Sequence, residues 1–144
     1  MYPKKTRTAS LLLVEDDEVD IAAVRRALKA LKIANDLYVA RDGIEALEML
    51  RGENGREPIP HPYLILLDLN MPRMDGREFL EELRRDPAHK DAIVFIMTTS
   101  RNDSDKAEAY GLNVAGYIVK EDPIGTFRRA IALLDHYWSL VELP

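Results

Sequence analysis

Four short apolar runs in this 144-residue sequence end in residues that could do chemistry. SLLLV leads into Glu15 and Asp16, YLILL into Asp68, IVFIM into Thr98 and GYIV into Lys120. Carboxylates brought together at low dielectric repel strongly. A hard divalent cation such as Mg²⁺, which takes oxygen ligands in octahedral geometry, relieves that repulsion. A carboxylate can also act as a nucleophile and form an aspartyl phosphate. Phosphoryl transfer then needs charge neutralisation on the equatorial oxygens. Mg²⁺ would serve one, the Lys120 ammonium a second, and the Thr98 hydroxyl a third. Asp68 stands alone at the end of its run and is the nucleophile candidate, with the acid pair on the neighbouring run. Each residue also has a plain structural reading. Asp16 or Asp17 could cap the helix that follows, Asp68 could form the turn before Pro72, and a Thr or Lys at a strand end is commonly a solvated edge residue. All four in one chain favour the chemical reading.

For these residues to meet, the runs must be parallel strands of one sheet. The intervening segments support that. Val19 to Leu31 has apolar residues at Val19, Ala23, Ala27, Ala30 and Leu31, a helical spacing. DLYVA is a short second strand, and Gly43 to Leu50 places Ile44, Leu47 and Leu50 on one helical face. RGENGREPIPHP, with three prolines and two glycines, is a loop. MDGREFLEELRRDP is a helix capped by Asp75 that stops before Pro87. Asp103 to Tyr110 is a short helix with Gly111 after it, and Asp122 with Pro123 opens the last helix. Strands apolar on both faces, alternating with helices, mean a parallel sheet covered on both sides. The expected fold is α/β: a flavodoxin-like, doubly wound five-stranded parallel sheet in the order 2-1-3-4-5, with five helices and a C-terminal helical extension. Such sheets bind ligands at the carboxyl ends of their strands.

Bulk properties exclude several classes. Twenty basic against 25 acidic residues give a net charge of −5, a poor match to a non-specific nucleic-acid binder. With no cysteine, neither disulfides nor thiolate metal sites can form. His61, His89 and His136 lack metal-ligand spacing. The basic MYPKKTRTAS start is followed by only four apolar residues before the acids, so it is neither signal peptide nor membrane span. A cytoplasmic protein that engages neither nucleic acid nor membrane is expected. Residues 1–9 read as an arm, 10–134 as the α/β domain and 135–144 as an extension.

LLLVEDD, LILLDLNMPRMDG, FIMTTS and GYIVK, in this order and spacing, resemble the receiver domain of two-component response regulators. The resemblance runs from about Ser10 to about Leu134. It implies that Asp68 accepts a phosphoryl group from a phosphohistidine on a partner histidine kinase, in a Mg²⁺-dependent reaction. Glu15 and Asp16 take the acid-pair positions, Asp16 as direct ligand and Glu15 through water, and Asn70 offers its backbone carbonyl. Lys120 would pair with the phosphoryl group, Thr98 would move towards it, and Tyr117 would follow by changing rotamer. That motion reshapes the face around the fourth helix and fifth strand. Tyr117 also reads as an ordinary half-buried strand aromatic. Catalysis would be confined to the protein's own phosphorylation and dephosphorylation. Asn70 and Ser100 hold positions that tune dephosphorylation in this family. The sequence departs at Glu121, where a proline commonly follows the lysine, and at Thr99, where a smaller residue is common. A non-proline cis bond after Lys120 would cost about 2.5–4 kcal/mol.

With about 120 residues taken by the receiver, no DNA-binding domain is expected in this sequence. In its ending, Phe127, Ile131, Leu134, Trp138 and Val141 form one stripe, and Ala130, Leu133, Tyr137 and Leu140 a second about 100° away. A helix on a sheet needs one stripe, so a homodimer is expected through Phe127, Ile131, Leu134, Tyr137, Trp138 and Val141. The plain alternative is that Tyr137 and Trp138 fold back on their own domain. The closing HYWSLVELP and the SLLLVEDD opening also resemble the regulators paired with bacterial phytochrome histidine kinases. Rival functions are a phosphorylation-independent binding module of the same fold, a phosphatase and a flavodoxin. A phosphatase would want Asp at position 70, and a flavodoxin a hydroxyl-rich loop after the first strand.

Overall fold

A computed structural model describes residues 9–69, 71, 73–98, 111–119 and 126–140, with the side chains of 98, 119, 126–128 and 138–140 outside that description. Five strands form one sheet: β1 (Ser10–Val14), β2 (Leu37–Ala40), β3 (Tyr63–Asp68), β4 (Ile93–Thr98) and β5 (Gly116–Val119). All pairings are parallel and the order is β2-β1-β3-β4-β5. Four helices lie among the described residues: α1 (Glu18–Ala30), α2 (Gly43–Arg51), α3 (Gly76–Arg85) and α4 (Thr126–Leu140). The helix expected over 103–110 and the Asp122–Pro123 start fall outside them.

The strands are apolar on both faces because both faces are covered. Alternate residues of each strand enter opposite layers. Leu12, Val14, Ile65 and Leu67 pack with Leu47 and Leu50 of α2 and Phe79, Leu80 and Leu83 of α3. Leu11, Leu13, Leu64 and Leu66 pack with Ile21, Val24 and Leu28 of α1 and Ile131 and Leu134 of α4. No helix among the described residues is long and apolar enough to cross a membrane.

Two expected helix faces need correction. The inner face of α1 is Ile21, Val24, Ala27 and Leu28, while Val19 is 71% exposed. Ala30 is exposed as well. Burial follows the large side chains at positions 21, 24 and 28, and a count that weighs alanines equally rotates the stripe. In α2 Leu47 and Leu50 are buried as expected, but Ala46 completes that face and Ile44 is on the outer side. The α3 start is as expected. Asp75 caps it, with a reciprocal Glu78 bond that completes a capping box.

At the amino end of the sheet, the Tyr63 phenol and His89 Nδ1 are 2.6 Å apart, and the His61 ring stacks on His89. Burial pushes the His89 imidazole below its usual range; Asp86 opposes this, while His61 and Arg51 add to it. The folded state therefore binds fewer protons there than the unfolded chain. That contribution to stability is complete above the ordinary histidine pKa of about 6.5 and is lost as pH falls below it. Urea midpoints measured from pH 8 to 5 should drop below pH 6.5 in the native sequence, and drop less in His89→Gln. Equal slopes for the two would contradict this.

Candidate functional site

The register of the sheet delivers the acids to one place. Val14 of β1 pairs with Leu67 of β3, so Glu15 and Asp68 leave adjacent strand ends together. Glu15 is fully buried and Asp68 only 8% exposed. The Glu15 amide donates to Ala40 of β2 at 2.9 Å, which pins that strand end from the other side. The third acid of the run is used differently. Asp17 is the α1 N-cap, its Oδ1 accepting from the Val19 amide at 2.8 Å, and its own amide donates to Glu15 Oε2 at 3.2 Å. That leaves Asp16, on the solvent side, to face the pocket. One carboxylate oxygen each from Glu15, Asp16 and Asp68 lie within 4.8 Å of one another. Ligands on opposite sides of a Mg²⁺ ion with bonds of about 2.1 Å sit about 4.2 Å apart, so the three oxygens are close to sharing one centre. Hard oxygen donors, two of them buried, suit Mg²⁺ or Mn²⁺.

The chain leaving Asp68 is tightly packed. The Gly76 amide donates to Leu69 O at 3.0 Å, and a Cβ at Gly76 would lie 2.6 Å from Leu69 Cα and 2.7 Å from Asp68 O. The Gly43 amide donates to Met74 O at 3.1 Å, and a Cβ there would meet Met74 Cγ at 2.8 Å. Beside this contact, Arg73 Nε is 2.8 Å from Asp42 Oδ2, and Nη2 is 3.1 Å from Oδ1. Asp42 is itself the α2 N-cap, accepting from the Glu45 amide at 2.8 Å. Partial burial pushes its carboxyl up, but the Glu45 amide and the Arg73 guanidinium outweigh that and hold it below the usual carboxylate range. Arg41, next along, pairs with Glu18 of α1.

The remaining predicted residues are placed less fully. The Thr98 backbone is the last position of β4, paired with Val119 of β5. Its side chain lies outside the described residues, as do Lys120, Asn70, Thr99, Ser100 and Glu121. Tyr117 is half-buried on β5, opposite Ile96, against the layer that holds α2 and α3. In α4, Ile131 and Leu134 are buried in the layer shared with α1, which corrects their place in the expected dimer surface. They complete the inner face of their own domain, as an apolar helix stripe on a sheet must. Tyr137 is partly buried and meets Phe95 edge-on, with ring centroids 5.6 Å apart. Leu133, on the second stripe, is 69% exposed. The side chains of Phe127 and Trp138, and Val141 as a whole, lie outside the description. Sequence reasoning missed the Asp42–Arg73 pair; an Asp-Gly at a helix start was its only local trace.

Comparison with known proteins converges on one family. The family model described as "Response regulator receiver domain" matches residues 11–132. Response regulator Rcp1 of a Synechocystis strain is 37% identical over 135 residues, covering 93% of this chain and 92% of that protein. The solved Mn²⁺-bound form of Rcp1 superimposes with a TM-score of 0.82 at 35% identity, over 94% of this chain and 99% of that one. The phosphorylated cyanobacterial phytochrome response regulator RcpA gives a TM-score of 0.81 at 35% identity, over 94% and 98%.

Proposed function

This chain belongs to the response regulator receiver family, and from that premise we propose that it accepts a phosphoryl group on Asp68 from a partner histidine kinase and relays it as a change of shape. The observation that carries this reading is the convergence of Glu15, Asp16 and Asp68 oxygens within 4.8 Å at the carboxyl end of the sheet. An Asp68 oxygen attacks phosphorus as the bond to the donor histidine nitrogen breaks, and the imidazole leaves with the bonding pair. Glu15, Asp16, Asp68 and the Asn70 carbonyl would hold Mg²⁺, which when bound would supply positive charge to neutralise the transferring group. Asp16, on the solvent side, would be a direct ligand, and Glu15 is held by its buried position and its bond from the Asp17 amide. Lys120 pairs with the new phosphoryl group. Thr98 turns towards it, and Tyr117 follows inward. The Mn²⁺-bound form of Rcp1 and the phosphorylated form of RcpA support both halves of the reading. A phosphorylation-independent binding module is not favoured: the acid pair and the acceptor are all present.

In this reading residues 1–9 are an arm, 10–134 the receiver and 135–144 an extension, with a fifth helix over 103–110. The protein acts in the cytoplasm, without nucleic acid or membrane. Its catalysis is limited to its own phosphorylation and dephosphorylation. Its kinase is a bacteriophytochrome, a link supported by the similarity to RcpA. Incubation with acetyl phosphate should phosphorylate the protein with Mg²⁺ present and not in excess EDTA. Labelling that is indifferent to EDTA would contradict the reading.

Tyr137 of the second stripe, with Phe127, Trp138 and Val141 of the first and the extension after α4, forms a homodimer surface. An exposed Leu133 beside them supports this. Leu133→Asp should weaken self-association about tenfold or more by sedimentation, because an unpaired carboxylate would enter an apolar contact. An unchanged dimer constant would remove Leu133 from the interface.

A further inference from the structure

We propose that Arg73 is a positioning residue for the divalent-ion site: its two-pronged contact with Asp42 holds the chain leaving Asp68, and so keeps the Asp68 carboxylate beside Glu15 and Asp16. This rests on the reading of those three acids as a metal-binding acceptor site.

Two independent observations point to it. Arg73 has a φ of 61°, in the left-handed region that a residue with a Cβ adopts at a cost. A turn that only needed to reverse the chain would be served better by glycine. Arginine there delivers a side chain, and its target is specific. The guanidinium meets both Asp42 oxygens at 2.8 and 3.1 Å, a planar fork that fixes direction as well as distance. The anchor is firm, because Asp42 is held by the Glu45 amide at the start of α2. The loop is fastened close by at Met74, which accepts from the Gly43 amide, and closed on itself at Leu69, which accepts from Gly76. Arg73 itself is exposed, and an exposed ion pair adds little to stability. Its strained backbone is therefore better explained by what it positions than by what it stabilises.

The test separates backbone from side chain. Arg73→Gly suits the left-handed backbone while deleting the fork, and Asp42→Asn keeps a helix-capping residue while removing the charge. Mn²⁺ is titrated into each protein, and free ion is read by electron paramagnetic resonance, with thermal midpoints measured in metal-free buffer. Arg73→Gly should leave the midpoint level or higher yet weaken Mn²⁺ binding about three- to tenfold, between an exposed ion pair and an outer partner of a metal ligand. In the Asp42→Asn background, Arg73→Gly should add no further loss. Native-like affinity in Arg73→Gly, or a loss that only tracks a fallen midpoint, overturns the inference while the metal site stands. Absence of saturable Mn²⁺ binding in the unaltered protein overturns the metal-site reading and this inference together.

Discussion

Asp68→Asn is expected to reduce phosphoryl uptake to background, a loss of at least roughly a thousandfold in labelling rate from acetyl phosphate or a kinase. The amide has the shape of the carboxylate but lacks its charge and its nucleophilic lone pairs, so the fold has no reason to fail. The metal-free protein should in fact melt higher. Asp68 is nearly buried with oxygens of Glu15 and Asp16 close by, and removing one like charge relieves repulsion. Inactivity with a level or raised midpoint would separate chemistry from folding. Labelling that persists in this variant would refute Asp68 as the acceptor.

Gly76→Ala should be the most damaging small substitution near the site, by about 2–3 kcal/mol. Alanine is otherwise the better helix former by about 1 kcal/mol, so any destabilisation must come from contact. The new methyl would sit 2.6 Å from Leu69 Cα and 2.7 Å from Asp68 O. Both neighbours are backbone, so the acceptor's own strand end has to move. A displacement of about 1 Å in a reacting group costs on the order of a hundredfold in rate. Urea denaturation and acetyl-phosphate labelling of the variant check both effects. An undiminished midpoint would show that α3 can slide away from β3 without strain.

The sheet was legible because its strands are buried on both faces, which writes them as unbroken apolar runs such as Leu64 to Leu67. The acids after those runs were legible for the same reason, since a carboxylate directly after a buried strand needs a purpose. From the residues alone either Asp16 or Asp17 could cap α1; the family resemblance put Asp16 in the acid pair, and the backbone path shows Asp17 as the cap. In α1 alanines counted like leucines placed Val19 inwards when the large residues at 21, 24 and 28 face the sheet; in α2 Leu47 and Leu50 face inwards as expected, and Ala46 rather than Ile44 completes that face. Two stripes on α4 were visible, but not which one the domain keeps; Ile131 and Leu134 went inwards because α1 lies against that side. The Asp42–Arg73 fork spans 31 positions and depends on an arginine in left-handed backbone, which leaves no pattern in local spacing.

The most direct measurement is to locate the phosphoryl group. The protein is phosphorylated with Mg²⁺ present, then treated with borohydride, which reduces an acyl phosphate to an alcohol and so marks the modified aspartate as homoserine. Peptide mass mapping then reads the position. Homoserine at residue 68, and absent after labelling in EDTA, is the predicted result. Homoserine at Asp16 or Asp17 with residue 68 unaltered would contradict the account.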